Sequence, residues 1–121
     1  MENRGTPERY LHTILMLGKK YCCVRSVDVA HCLKRSKPSV SAAVSRLVGS
    51  GLLRVEEDGN LLLTEQGMNY MRDYLERSRC FQRLLLNAGV SPDAAETEAF
   101  SMALAVRPET FEALKKYLAM P

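Results

Sequence analysis

No long uncharged apolar run occurs in this sequence, and no export-leader pattern follows Met1-Glu2-Asn3-Arg4. A membrane-spanning helix needs about 20 consecutive apolar residues, so neither insertion nor export is expected and a cytoplasmic location is. No glycine-rich phosphate loop is present, and the two histidines, His12 and His31, have no evident acidic partner in sequence. Most hydroxyls stand where helix caps or groove contacts would use them, so the chain is not expected to be an enzyme. The four cysteines, Cys22, Cys23, Cys32 and Cys80, form no C-x-x-C pair. Without an export signal they read as small buried thiols in preference to disulfides or a zinc site.

What is scarce locally is negative charge. From Lys19 to Arg54 there are eight Lys or Arg against one acid, Asp28, a net of +7, whereas from Thr64 onward seven bases meet eight acids, a net of −1. Such asymmetry is expected when one part of a chain faces a polyanion and the other faces protein or solvent. The 121 residues, 46% of them apolar, allow one domain or two small ones sharing a core.

Within the basic segment, residues 36 to 54 read as the second helix of a helix-turn-helix and its exit. Ser36 is a cap, Pro38 suits a first turn, and Gly49 and Gly51 loosen and then end the helix before Leu52. Val40, Val44, Leu47 and Val48 recur at helical spacing as an apolar face. The opposite face carries Lys37, Ser39, Ser41, Ala42, Ser45 and Arg46. Small residues let a helix backbone approach a major groove, and cations meet phosphates or guanine edges. These six are the candidate groove contacts, with Arg35 and Arg54 on phosphates. Taken alone, the stretch is equally compatible with an ordinary amphipathic surface helix.

The flanking segments support the same layout. Thr6-Pro7-Glu8 starts a helix through Tyr10, Leu11, Ile14, Leu15 and Leu17. Tyr21 to Arg25 is a short link or brief strand, and Ser26 is expected to cap a short helix with Val27, Ala30 and Leu33 inward. Leu52-Leu53-Arg54-Val55 and Leu61-Leu62-Leu63 flank Glu56-Glu57-Asp58-Gly59-Asn60, a hairpin signal. A helix-turn-helix followed by a hairpin is a winged helix. Its acidic tip would be repelled by phosphate, so the wing is expected to stand off DNA or to use only its flank, at Arg54 and Asn60.

From Thr64-Glu65 a long helix is expected to Asn87-Ala88-Gly89, spanning roughly 35 Å at about 1.5 Å per residue. Ser91-Pro92-Asp93 and Pro108-Glu109 start two more, with apolar faces at Ala95, Ala99, Met102, Ala103 and Val106, and at Phe111, Leu114, Tyr117 and Leu118. Three helices with narrow faces rich in Ala and Met suit a homodimer interface. The expected fold is therefore mainly α: a winged helix-turn-helix DNA-binding domain over residues 1–66 and a helical dimerisation domain over residues 67–121. The expected partners are double-stranded DNA and a second copy, with no membrane.

Several ordered motifs carry a resemblance. Pro7-Glu8-Arg9-Tyr10-Leu11, Val24-Arg25-Ser26-Val27-Asp28-Val29-Ala30, Pro38-Ser39-Val40-Ser41, Gly51-Leu52-Leu53, Leu63-Thr64-Glu65-Gln66-Gly67, Asn87-Ala88-Gly89-Val90 and Glu109-Thr110-Phe111-Glu112-Ala113-Leu114 are similar to the DtxR/MntR family of metal-dependent bacterial repressors. The resemblance implies a homodimeric winged-helix regulator whose helical domain holds Mn(II) or Fe(II). It also places the family's ligands, by motif register, at Arg9 and His12, at Ser78, and at Phe100, Ala103 and Leu104. Of these at most His12 is a conventional donor, and a guanidinium among the ligands repels a cation. No metal cofactor is therefore expected unless Glu96, Glu98, His12 and Cys80, with His31, build a relocated site. Redox gating through Cys22, Cys23 or Cys32, constitutive repression, a small apolar ligand in the vacated metal cavity, and a winged helix turned protein-interaction module remain alternatives.

Overall fold

The computed structural model describes residues 5–119. The chain forms two compact units, Met1–Met71 and Arg72–Pro121.

The first unit starts with α1 (Pro7–Lys20), where the Thr6 hydroxyl accepts from the Arg9 amide at 3.2 Å. Tyr10, Leu11 and Ile14 are its buried apolar residues. The next helix, α2 (Ser26–Leu33), begins one residue earlier than expected. Its cap is Arg25, because the Asp28 carboxylate accepts from the Arg25 amide at 2.8 Å and fixes the turn there. Val29, Ala30 and Leu33 face inward, while Val27 is 52% exposed. Val27 lies two residues, about 200° of helical rotation, from Val29 and cannot share its face. Lys34 closes α2 in the left-handed region at φ 55.

The third helix is α3 (Lys37–Gly49), capped by Ser36, whose hydroxyl accepts from the Ser39 amide at 3.2 Å. Val40, Ala43, Val44 and Leu47 are buried. Val48, expected on that face, is exposed, and Ala43 takes its place because it is one turn from Val40 and Leu47. Gly51, at φ 82, reverses the chain, and the Leu52 amide reaches back to the Leu47 carbonyl at 3.0 Å.

Strands β1 (Leu53–Val55) and β2 (Leu61–Leu63) pair antiparallel in the register Leu53–Leu63, Arg54–Leu62, Val55–Leu61. The Tyr21–Arg25 link is not a strand, yet it is tied to the hairpin. The Leu61 amide donates to the Val24 carbonyl at 2.7 Å, and the Val24 amide donates to Asn60 Oδ1 at 2.8 Å. Helix α4 (Glu65–Asn87) starts hard against the end of α3. Thr64 donates its hydroxyl to the Gly51 carbonyl at 2.6 Å and accepts from the Gly67 amide at 2.9 Å. A Cβ on Gly67 would sit 2.1 Å from the Leu52 carbonyl oxygen, so only glycine fits this junction.

The second unit contains the rest of α4 with α5 (Pro92–Ala105) and α6 (Pro108–Ala119). Gly89, at φ 92, ends α4, and the Ser91 hydroxyl caps α5 by accepting from the Ala94 amide at 3.3 Å. The core is Phe81, Ala99, Ala103 and Phe111, with Leu85, Met102, Val106 and Leu114 packed around it. Phe81 and Phe111 meet edge to face, 5.8 Å between centroids. Of the face expected on α6, Phe111 is buried and Leu114 half-buried, but Tyr117 is 70% and Leu118 51% exposed.

Candidate nucleic-acid interface

Helical spacing places Lys37, Ser41 and Ser45 in one row of α3 and Ala42 and Arg46 in the adjacent row, and all five are exposed. These small and basic side chains form a face on which a nucleic-acid backbone can approach closely. Ser39 differs. It is half-buried, and its hydroxyl accepts from that of Ser36 at 2.8 Å, so it belongs to the cap as much as to the face.

The expected phosphate contacts are held differently. Arg35 is half-buried, with its guanidinium over the Tyr10 ring at 5.9 Å and pressed against Gly5. Arg54 is exposed and lies 4.0 Å from the Glu56 carboxylate, an arrangement that partly offsets its charge. Asn60, expected on the flank of the wing, is occupied by scaffolding. Its Oδ1 accepts from the Val24 amide, its Nδ2 donates to Glu56 at 3.0 Å, and its own amide donates to Asp58 at 2.9 Å. Arg25 completes this clamp by donating from Nε to the Asp58 carbonyl at 2.8 Å. Sequence reasoning assigned Arg25 no such role, since its partner lies 33 residues away.

Of the positions where the resemblance places the family's metal ligands, Arg9 is half-buried, and burial lowers its pKa, with Cys32 acting in the opposite direction. His12 is buried, and burial, then the charges of Arg9 and Lys19, push its pKa down to about 4. Ser78, Phe100 and Ala103 are buried and Leu104 is half-buried. Arginine, serine, phenylalanine, alanine and leucine side chains do not fit Mn(II) or Fe(II), which take several oxygen and imidazole donors.

The relocated set is not assembled either: among the described residues no three or more His, Cys, Asp or Glu are grouped so as to hold a metal ion. His31 and Glu98 are exposed, while Glu96 and Cys80 are half-buried. The cysteines are free but not buried, since Cys22 and Cys32 are exposed and Cys23 and Cys80 intermediate. Arg9 is also a cation close enough to interact with Cys32, a neighbour that sequence reasoning did not identify.

A capped helix with a small, basic outer face, followed by a two-stranded wing, defines the winged-helix class of DNA-binding proteins. Comparison with known proteins narrows the class. A family model described as "Iron dependent repressor, N-terminal DNA binding domain" matches residues 5–61. The transcriptional regulator MntR of Escherichia coli O157:H7 is 31% identical over 108 residues, covering 89% of this chain and 70% of MntR. The iron-dependent repressor IdeR of Mycobacterium tuberculosis H37Rv is 38% identical over 82 residues, covering 68% of this chain and 36% of IdeR. Among solved structures, the manganese regulator SloR superposes with a TM-score of 0.72 at 25% identity, over 96% of this chain and 54% of SloR. IdeR of T. acidophilum shares the fold, with a TM-score of 0.79 at 21% identity over 95% of this chain and 55% of its own. The chain thus spans about half the length of these two structures. It belongs to the DtxR/MntR family of transcriptional regulators.

Proposed function

We propose that this protein is a homodimeric, sequence-specific repressor that reads double-stranded DNA with α3 and does so without the Mn(II) or Fe(II) co-repressor of its relatives. The observation that carries this reading is the exposed row of Lys37, Ser41, Ala42, Ser45 and Arg46 within a +7 segment. Arg54 supplements it on phosphate. Arg35 supports α3 through Tyr10, and the clamped acidic wing stands off the duplex. The winged-helix residues supply the reading surface and the C-terminal helices the dimer contact, the latter supported by the exposed Leu84, Leu86, Tyr117 and Leu118. Paired helices would then read two half-sites. A cytoplasmic location follows from a genomic partner.

Metal independence rests on Arg9, Ser78, Phe100, Ala103 and Leu104 standing where donors are needed. The test is operator selection from random duplexes, followed by titration in chelator and in Mn(II) or anaerobic Fe(II). Salt-dependent binding to the selected sequence, equal in all three conditions, is expected. Tight duplex binding only with metal overturns the metal-free part. No salt-sensitive binding to any duplex overturns DNA reading and favours a protein-interaction module.

A further inference from the structure

Three helices of this chain close with the same backbone motif, in which an amide reaches the carbonyl five residues before it. The Leu52 amide reaches Leu47 at 3.0 Å after α3, the Val90 amide reaches Leu85 at 2.9 Å after α4, and the Arg35 amide reaches Ala30 at 3.1 Å after α2. The residue before each of these amides has positive φ: Gly51 at 82, Gly89 at 92, and Lys34 at 55 with ψ 47. Two of the three are glycine, which has no Cβ to clash there. Among the described residues Lys34 is the one non-glycine residue with positive φ. A lysine in this conformation bears a steric cost that glycine avoids, and such an outlier points to a use for the side chain that bears it.

The place of Lys34 suggests that use. It is exposed in the turn between α2 and α3, three residues before Lys37, which is also exposed. When a helix-turn-helix docks, its second helix enters the major groove by the N-terminal end while the first crosses the phosphate backbone. The turn that joins them therefore lies at the lip of the groove, where the phosphates run. The neighbouring Arg35, expected from the sequence to meet phosphate, is half-buried with its guanidinium over the Tyr10 ring. From these observations we infer that Lys34 is the phosphate contact of the turn, and that the chain keeps lysine in a glycine-type conformation for that contact. The inference deepens the reading of α3 as the DNA-binding helix and rests on it. A phosphate contact positions a protein on the duplex without reporting the base, so Lys34 contributes affinity to all sequences alike.

The full chain and three variants are titrated with the selected operator duplex and with a random duplex over a series of salt concentrations, and their thermal midpoints are measured. Lys34→Gly removes both the charge and the strain, Lys34→Asn removes the charge in a residue that tolerates this conformation, and Lys34→Arg keeps the charge. Lys34→Gly should raise the thermal midpoint and still weaken DNA binding. The loss should be about tenfold, the scale of one charge-assisted contact, and equal on both duplexes. The salt slope should fall by about one for each bound chain. Lys34→Asn should lose the same affinity and slope, and Lys34→Arg should retain both.

An unchanged salt slope in both neutral variants overturns the contact. So does a loss confined to the operator duplex, which would make Lys34 a reader of bases. A lowered thermal midpoint in Lys34→Gly, or a loss in Lys34→Arg equal to that of the neutral variants, would assign the lysine to the fold and overturn its retention for DNA. If the parent binds duplex with a salt slope that the variants share, the role of Lys34 fails and the reading by α3 stands. If the parent binds no duplex at all, both fall together.

Discussion

The two units are held together by different chemistry. In the winged-helix unit, elements far apart in sequence are joined by directed polar contacts: Thr64 to Gly51, Asn60 to Val24, Arg25 to Asp58, and Tyr70 to Glu8. In the helical unit, two phenylalanines and two alanines form the core, edged by Lys115, which lies 3.6 Å from Glu76 and 5.5 Å from the Phe111 ring. Directed bonds define angles, which a surface meant to match a groove requires. Apolar packing tolerates slippage and leaves large side chains such as Tyr117 in solvent. The winged-helix unit is therefore fixed by directed bonds and the helical unit by apolar packing.

That contrast can be broken at its anchors. Phe111→Ala should cost about 4 kcal/mol, the usual scale for emptying an aromatic core position. Urea unfolding should register the loss, and amide spectra should show dispersion lost first from Arg72 onward; equal loss in Met1–Met71 would refute the division of labour. Gly67→Ala should cost about 3 kcal/mol, because overpacking here meets a backbone carbonyl that cannot swing aside. Its damage should begin at the joint between α3 and α4, and an unchanged urea midpoint would show that the junction relaxes freely.

His12 supplies a pH test within the winged-helix unit. Its pKa, about 4 in the folded chain, lies below the ordinary 6.5, so the unfolded chain binds more protons in between. The neutral histidine's contribution is complete above pH 6.5 and is lost as pH falls toward 4. The full loss is at most about 3 kcal/mol. His12→Gln should flatten this slope, and an unflattened profile would assign the acid sensitivity to other groups.

The smallest effects on stability are expected on the outer row of α3. Arg46→Ala should weaken operator binding by about 1–3 kcal/mol and lower the salt slope by about one, while Ser41→Glu weakens binding further by repulsion. Both should leave the melting curve within about 0.5 kcal/mol of the parent. Parent-like DNA affinity in both would remove α3 as the reader.

Local signals carried much of the architecture. The caps at Thr6, Ser36 and Ser91, the reversals at Gly51 and Gly89, and the pairing of Leu53–Val55 with Leu61–Leu63 depend on residues within a few positions of one another. Ser26 misled because two adjacent positions can cap α2, and the choice was made by Asp28 bonding to Arg25. Val48 and Val27 misled because hydrophobicity alone does not say which residues of a short helix meet a neighbour. The candidate DNA row was legible from composition, but Asn60 was not, since its partner Val24 is 36 residues away.

By itself, then, the order of residues determined the helices, the hairpin and the basic stretch. These follow from short-range periodicity, capping and side-chain chemistry. Only the tertiary structure decided that Arg35 lies over Tyr10, that Asn60 and Arg25 clamp the wing, and that the Tyr10 hydroxyl is buried without a hydrogen-bond partner. Those contacts join residues tens of positions apart, and their geometry exists only once packing has brought the elements together.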